Sequence, residues 1–209
     1  MSLFVVIDGV DGAGKGTQVA LLRDALVGLG HRVHVTCEPS ELPVGALIRE
    51  WLRKERRAHV PSWAAMGLLF AADRLIHVEH EIAPALARGE IVICDRYDAS
   101  SIAYQSAMNG GSDEALVWIA ELNREARRPD LTILLDLAPE VARDRRAARG
   151  GEEELFEKLD LQRKVREQYA KLGRVRPNDR IVTVDAGRAV DAIHAELLAH
   201  VLHCARGVR

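Results

Sequence analysis

The residues best suited to chemistry stand together near the start of the chain. The apolar run LFVVID is followed by GVDGAGKGTQ, ten residues that hold four glycines and Lys15. Backbone N–H groups can turn inward around a phosphate only where the chain accepts positive φ and close approach, and glycine permits both. A helix starting there adds its dipole to an anion site, and Lys15 would reach β- and γ-phosphates. The pattern GxxxxGK[ST] fails at Gly16, with Thr17 one place late. The hydroxyl that such loops place on Mg2+ is therefore displaced. A glycine-rich turn with a surface lysine is the plain alternative, but a strand before and a helix after the loop favour phosphate.

A second pair of interest, Asp95–Arg96, follows the apolar run IVICD. A guanidinium suits a phosphate bidentately. Asp95 stands where phosphate-loop proteins keep an acid near Mg2+, directly or through water; a strand-end ion pair is the alternative. Phe70 and Arg74 are spaced i, i+4 and share one helix face.

The elements that must position these residues are legible as alternating patterns. LFVVID, RVHVT, IVICD, LTILLDL and IVTVD read as strands rich in β-branched residues. Helical segments are expected at Leu22–Leu29, from Pro43, from Trp63 to about Arg88, and over Ser100–Met108, Asp113–Ala126, Glu140–Arg149, Glu153–Leu172 and Val190–Cys204. Pro84 should kink or split the long third helix. Alternation of this kind predicts one α/β domain spanning 1–209, with a five-stranded parallel sheet covered by helices on both faces. Its ligands belong beyond the carboxyl ends of the strands.

Composition narrows the class. The 209 residues are 48% apolar, enough for one sizeable core, and carry a net charge of −2. No global basic field argues for nucleic acid or an anionic membrane. No apolar run approaches a membrane span, and MSLFVVIDGV lacks a basic leader. Cys37, Cys94 and Cys204 form no CxxC pair, which reads as free thiols in a reducing cytoplasm.

The loop GxxGxGKGTQ resembles the nucleoside monophosphate kinases, which are P-loop proteins. LLFAADRLIHVEHEIAPAL, DRYDASSIAYQ and RPDLTILLDLAPEVARDRRAARG narrow the resemblance to bacterial thymidylate kinases, as do TCEPSELPVGALIR and VDAGRAVDAI. The likeness runs nearly end to end, in order. It implies transfer of the γ-phosphoryl of ATP to dTMP with Mg2+, in a homodimer. ATP would sit on Asp11, Gly12, Ala13, Gly14, Lys15, Gly16 and Thr17, with Thr17 and Asp95 on the metal side. For dTMP it implies Asp11, Glu38, Pro39, Phe70, Arg74, Arg96, Ser100, Ser101, Tyr104 and Gln105. Phe70 would stack on the base, Tyr104 would crowd a ribose 2′-hydroxyl, and Asp11 would face the sugar hydroxyl and acceptor phosphate.

Two departures stand out. Cys37 replaces an arginine common before the Glu-Pro step. The lid, about 143–158, has Glu154, Leu155, Phe156, Glu157 where Asp-Arg-Phe-Glu is common. With Gly12 in the loop, the resemblance implies that the catalytic arginine lies in the lid. Among Arg143, Arg145, Arg146 and Arg149, the expected one is Arg149, beside Gly150 and Gly151, with Arg143 in reserve. Lys15, Arg96, Arg149 and Asp11 form the expected catalytic set. Two other readings stay open. One is a kinase of the same fold acting on AMP or a deoxynucleoside, against which Gln105, Tyr104 and FAADR argue. The other is a low-turnover nucleotide sensor, which the altered lid favours.

Overall fold

The computed structural model describes residues 2–52, 61–149, 156 and 158–207. Five parallel strands form one sheet: β1 Leu3–Gly9, β2 Val33–Cys37, β3 Ile91–Asp95, β4 Leu131–Asp136 and β5 Ile181–Asp185, in the order β2-β3-β1-β4-β5. β1 is the central strand and is buried along its whole length, as a run of apolar residues covered on both faces must be. Its register sets Ile7 opposite Asp95, and β2 sets Cys37 beside the same Asp95. β2 and β3 therefore end level, and β1 runs two residues further, to Gly9.

Helices cover both faces of the sheet. They are α1 Lys15–Gly28, α2 Pro43–Leu52, α3 Trp63–His77, α4 Ala83–Ala87, α5 Asp98–Met108, α6 Asp113–Leu122, α7 Pro139–Arg149, α8 Leu159–Tyr169, α9 Leu172–Val175 and α10 Val190–Gly207. The larger core cluster joins β1 to α1, α5, α6 and α10, while Phe4, Val6, Ile82, Val92 and Tyr97 form a second on the opposite face. Trp51, Trp63 and Trp118 pack against the first, and Trp63 meets Trp118 edge-to-face at 5.2 Å. No helix among the described residues is long and apolar enough to cross a membrane.

The helix expected over Asp113–Ala126 ends at Leu122, and two other expected elements differ in detail. A π turn, Val78–Ile82, joins α3 to α4, and the Ala83 N–H bonds back to the Val78 carbonyl. The widened turn absorbs Pro84, which has no N–H to donate and a ring that needs room at the preceding turn. The segment expected as one helix over Glu153–Leu172 is α8, which starts at Leu159, followed by the short α9; residues 150–155 and 157 lie outside the described residues. Leu155 of the expected lid is among them.

Candidate active site

The phosphate loop is shaped by its glycines. Gly14 is the N-cap of α1 and has φ 94°, a conformation that an L side chain enters only with strain. It directs the first N–H groups of α1 outward, with no acidic side chain in that turn to occupy them. Gly12, at φ 93°, has a different reason to lack a side chain. A Cβ there would overlap the Ala142 carbonyl oxygen and lie 3.1 Å from Arg146 Cγ. α7 thus lies directly on the loop.

Lys15 is buried, and its Nζ donates to the carbonyls of Gly9 (3.2 Å) and Val10 (3.0 Å). Burial and the neighbouring Arg96 pull its pKa down to about 8. A cavity of about 400 Å3 opens above it, lined by Gly12, Gly14, Lys15, Gly16 and Thr17 from the loop and by Asp95 and Arg146. Ala13 differs from the expectation: its methyl is buried in the core cluster and does not line the cavity. Asp95 Oδ1 is buried without a hydrogen-bond partner among the described residues. Burial lifts its carboxyl above the usual range, against the pull of Lys15 and Arg96.

Arg96 stands between this cavity and a second. Its φ is 70°, and among the described residues it alone combines positive φ with a side chain. Nη1 donates to Gly9 O (3.0 Å) and Ser100 Oγ (3.0 Å), Nη2 donates to Asp11, and the guanidinium lies 5.2 Å from the Tyr104 ring centre. Burial works to raise the Asp11 carboxyl, but Arg96, Lys15 and hydrogen bonds from Tyr104 and Gln162 outweigh it and hold it below the ordinary range.

The second cavity, about 290 Å3, is lined by Glu38, Pro39, Phe70, Arg74, Ser100, Ser101, Tyr104 and Gln105 together with Asp11 and Arg96. Every residue expected on the acceptor side therefore meets here. Arg74 is fully buried and donates to Glu38 Oε2 (2.6 Å), Ser101 Oγ (3.0 Å) and Asn123. Its Nε and the Gln105 Oε1 are buried without partners among the described residues. One donor and one acceptor are thus left for whatever enters.

Several contributors escaped sequence reasoning. Gln162 on α8 accepts from the Asp11 N–H (3.1 Å) and donates to Asp11 Oδ2 (2.9 Å) and Phe156 O (2.7 Å). Phe156 lies 5.7 Å from Tyr104, ring centre to ring centre, and lines the second cavity. Arg49 of α2 also lines that cavity and donates to the Pro39 (2.8 Å) and Ser40 (2.6 Å) carbonyls. It brings a guanidinium near the place where Cys37 lacks one.

The lid arginines separate clearly. Arg146 donates to the Asp11 carbonyl and lines the phosphate cavity. Arg143, the reserve candidate, is exposed and pairs with Asp144 at 2.8 Å; Arg145 donates to Ala186 O. On a helix, positions 142 and 146 share the face toward the loop, while 143 is turned about 100° away. The Arg149 backbone ends α7, and its side chain lies outside the described residues.

Two cavities meeting at a guanidinium, one roofed by a glycine loop, suit a donor and an acceptor that exchange a phosphoryl group. Comparison with known proteins agrees. The thymidylate kinase family model matches residues 7–197. The chain belongs to the thymidylate kinase family. It is 44% identical over 202 residues to the "Probable thymidylate kinase" of Pyrococcus abyssi, covering 96% of each chain. It is 36% identical over 209 residues to the "Thymidylate kinase" of Pelobacter propionicus, covering 97% of this chain and 94% of that one. The expectation of a bacterial type is not supported, because archaeal proteins such as those of Pyrococcus abyssi and Pyrococcus horikoshii (43% identical) are among its most similar relatives.

Proposed function

We propose that this family member is a thymidylate kinase that transfers the γ-phosphoryl of ATP to dTMP, giving dTDP and ADP. One observation carries the reading: the glycine-loop cavity and the second cavity share Asp11, Glu38 and Arg96 as a common wall. A γ-phosphoryl on one side and an acceptor phosphate on the other would meet at that wall. Positioning and charge neutralisation are most of what phosphoryl transfer asks of a protein.

Each residue then has a task. The loop amides, Lys15 and the start of α1 hold the donor phosphates. Arg96 holds the acceptor phosphate, and Arg146, in place of Arg143, brings a cation from α7. Arg149 keeps its proposed place in the lid of about 143–158. Phe70 offers the base a ring face. Thymine presents an N3–H between two carbonyls, and the unpaired Gln105 Oε1 and Arg74 Nε–H complement that edge. Tyr104, whose hydroxyl donates to Asp11 at 2.8 Å, closes the sugar side.

The donor set suits Mg2+. Asp95 has an unpaired buried oxygen at the phosphate cavity, and Thr17 lines the same cavity. No three His, Cys, Asp or Glu side chains among the described residues gather into a cage. Mg2+ asks for no such cage, since it keeps several waters and takes one or two carboxylates plus substrate phosphates. Asp95 and Thr17, directly or through water, would hold it, and it would neutralise phosphate charge. Gly16 keeps the loop backbone slim while Thr17 takes the metal-side task.

A homodimer is supported by apolar surface on α3 and α6. Leu68 and Leu75, two helical turns apart on α3, and Val117 on α6 are exposed, and the same two helices carry the Trp63–Trp118 pair. Three free thiols suit a reducing compartment such as the cytoplasm. The test of the whole reading is ADP release measured with dTMP, dUMP, AMP, CMP or no acceptor. The reading expects dTMP to lead by a wide margin. Preference for AMP would indicate another kinase of this fold, and equal slow release in every arm would indicate a sensor.

A further inference from the structure

Asp8 lines neither cavity of the site, yet it is fully buried and its carboxylate accepts five hydrogen bonds. It accepts from the backbone N–H groups of Gly9 (2.8 Å), Tyr97 (3.3 Å) and Ser100 (3.0 Å). It also accepts from Ser100 Oγ (2.6 Å) and the Tyr169 hydroxyl (2.7 Å). These donors come from β1, from the turn into α5, and from the end of α8. Tyr97, the N-cap of α5, makes no side-chain cap bond. Asp8 does that work from a neighbouring strand, accepting from the Tyr97 N–H and from the Ser100 N–H, which it shares with the Tyr97 carbonyl (3.1 Å).

The turn that Asp8 holds is the one bearing Arg96. Its backbone is strained at φ 70°, and its N–H bonds to Ile7 O at 3.0 Å. Positive φ in a residue with a side chain persists only where the surroundings over-determine it. Asp8 also reaches the guanidinium through one intermediary: Arg96 Nη1 donates to Ser100 Oγ, which donates to Asp8 Oδ1. Arg96 Nη1 lies 3.7 Å from the same Oδ1, too far for a hydrogen bond and near enough for attraction.

We propose that Asp8 is the positioning residue of the acceptor-phosphate clamp: it fixes the Arg96 turn and aims its guanidinium without touching substrate. Tyr169 shares that task from α8 by holding the carboxylate in place. The inference rests on the reading of Arg96 as the phosphate clamp. It predicts a loss confined to recognition of the phosphate, because the base pocket around Phe70, Arg74 and Gln105 has no contact with Asp8 among the hydrogen bonds described.

Calorimetric titration of dTMP and of thymidine, which lacks the phosphate, separates the possibilities. Wild-type protein should bind dTMP more tightly than thymidine. Asp8→Asn removes the charge and turns an amide N–H toward groups that are themselves donors. Its dTMP affinity should fall by about tenfold or more, the scale of a lost hydrogen bond to a charged group. Its thymidine affinity should stay within about twofold. Circular dichroism checks that the variant is folded. If it is not, Tyr169→Phe keeps the ring, removes one donor to Asp8 and should show the same selective loss at about threefold. Equal weakening of both ligands would make Asp8 merely structural and overturn the proposal, as would an undiminished phosphate preference in the variant that folds. Wild-type protein with no preference for dTMP over thymidine would instead overturn the clamp itself.

Discussion

Replacing Gly12 by alanine tests how closely α7 lies on the phosphate loop. Two costs add. The backbone at φ 93° is one that an L residue adopts at about 1–2 kcal/mol. The new methyl would sit 3.0 Å from the Ala142 carbonyl carbon, with its oxygen nearer still, and 3.1 Å from Arg146 Cγ. Backbone cannot swing aside as a side-chain tip can, so α7 must retreat, and overpacking of this kind costs about 1–3 kcal/mol. The sum centres on roughly 3.5 kcal/mol, which in a domain of this size lowers Tm by about 7–14 °C. Retreat of α7 also withdraws Arg146 from the Asp11 carbonyl, so kcat should fall with stability. Gly16→Ala is the control. Gly16 lies within α1, and an added Cβ there meets no described atom within 4 Å. Alanine at such a helical site stabilises by about 0.4–1 kcal/mol through the unfolded chain. Thermal denaturation of the two variants beside wild type gives the answer. If Gly12→Ala melts within about 2 °C of wild type, or if Gly16→Ala falls as far as Gly12→Ala, the packing argument is wrong.

Other expectations follow from the same geometry. Lys15 must be cationic to hold phosphate, and with a pKa near 8 its charged form dominates below that pH and is lost above it. The kcat/KM for ATP should therefore be flat below about pH 8 and fall tenfold per unit above it, with the kcat limb displaced upward because bound phosphate favours the charged lysine. Lys15→Arg that keeps any activity should lack this limb, since arginine stays protonated; a limb that persists would belong to another group. Phe70→Ala should raise the dTMP KM by the equivalent of roughly 1–3 kcal/mol, one lost base–aromatic stack. An unchanged KM with a lower Tm would make Phe70 part of the core alone. Arg146→Ala should cut kcat by about 10² with little change in the dTMP KM, the pattern of a contact that matters most in the transition state. Full turnover in that variant would leave Arg149 as the lid's catalytic arginine.

What the sequence made legible was whatever acts locally. Apolar runs of β-branched residues between helical repeats define β1 to β5, and the glycines with Lys15 define the loop, because each rests on neighbours a few positions away. Gln162, Tyr169 and Asp8 were invisible for the opposite reason. Each serves the site across more than 85 residues of chain, through hydrogen bonds such as Tyr169 to Asp8 and Ser100 to Asp8. No spacing rule reports a bond of that kind. The lid shows the same limit. Arg143 is attractive by charge, but helix phase turns it away from the loop and turns Arg146 toward it. Only the contact of Ala142 with Gly12 fixes that phase, at Arg146. Pro84 marks a disturbance in the helical pattern, and a π turn accommodates it without ending the helical run.

In the proposed reaction a phosphoryl group crosses the wall formed by Asp11, Glu38 and Arg96. Incubation of wild-type protein and Arg96→Ala with γ-labelled ATP and Mg2+, with and without dTMP, followed by separation of the labelled products, tests it directly. Wild-type protein should move the label into dTDP only when dTMP is present, and Arg96→Ala should lose this transfer by about 10² or more. Label appearing as inorganic phosphate at the same rate whether or not dTMP is supplied would contradict it, as would undiminished transfer in Arg96→Ala.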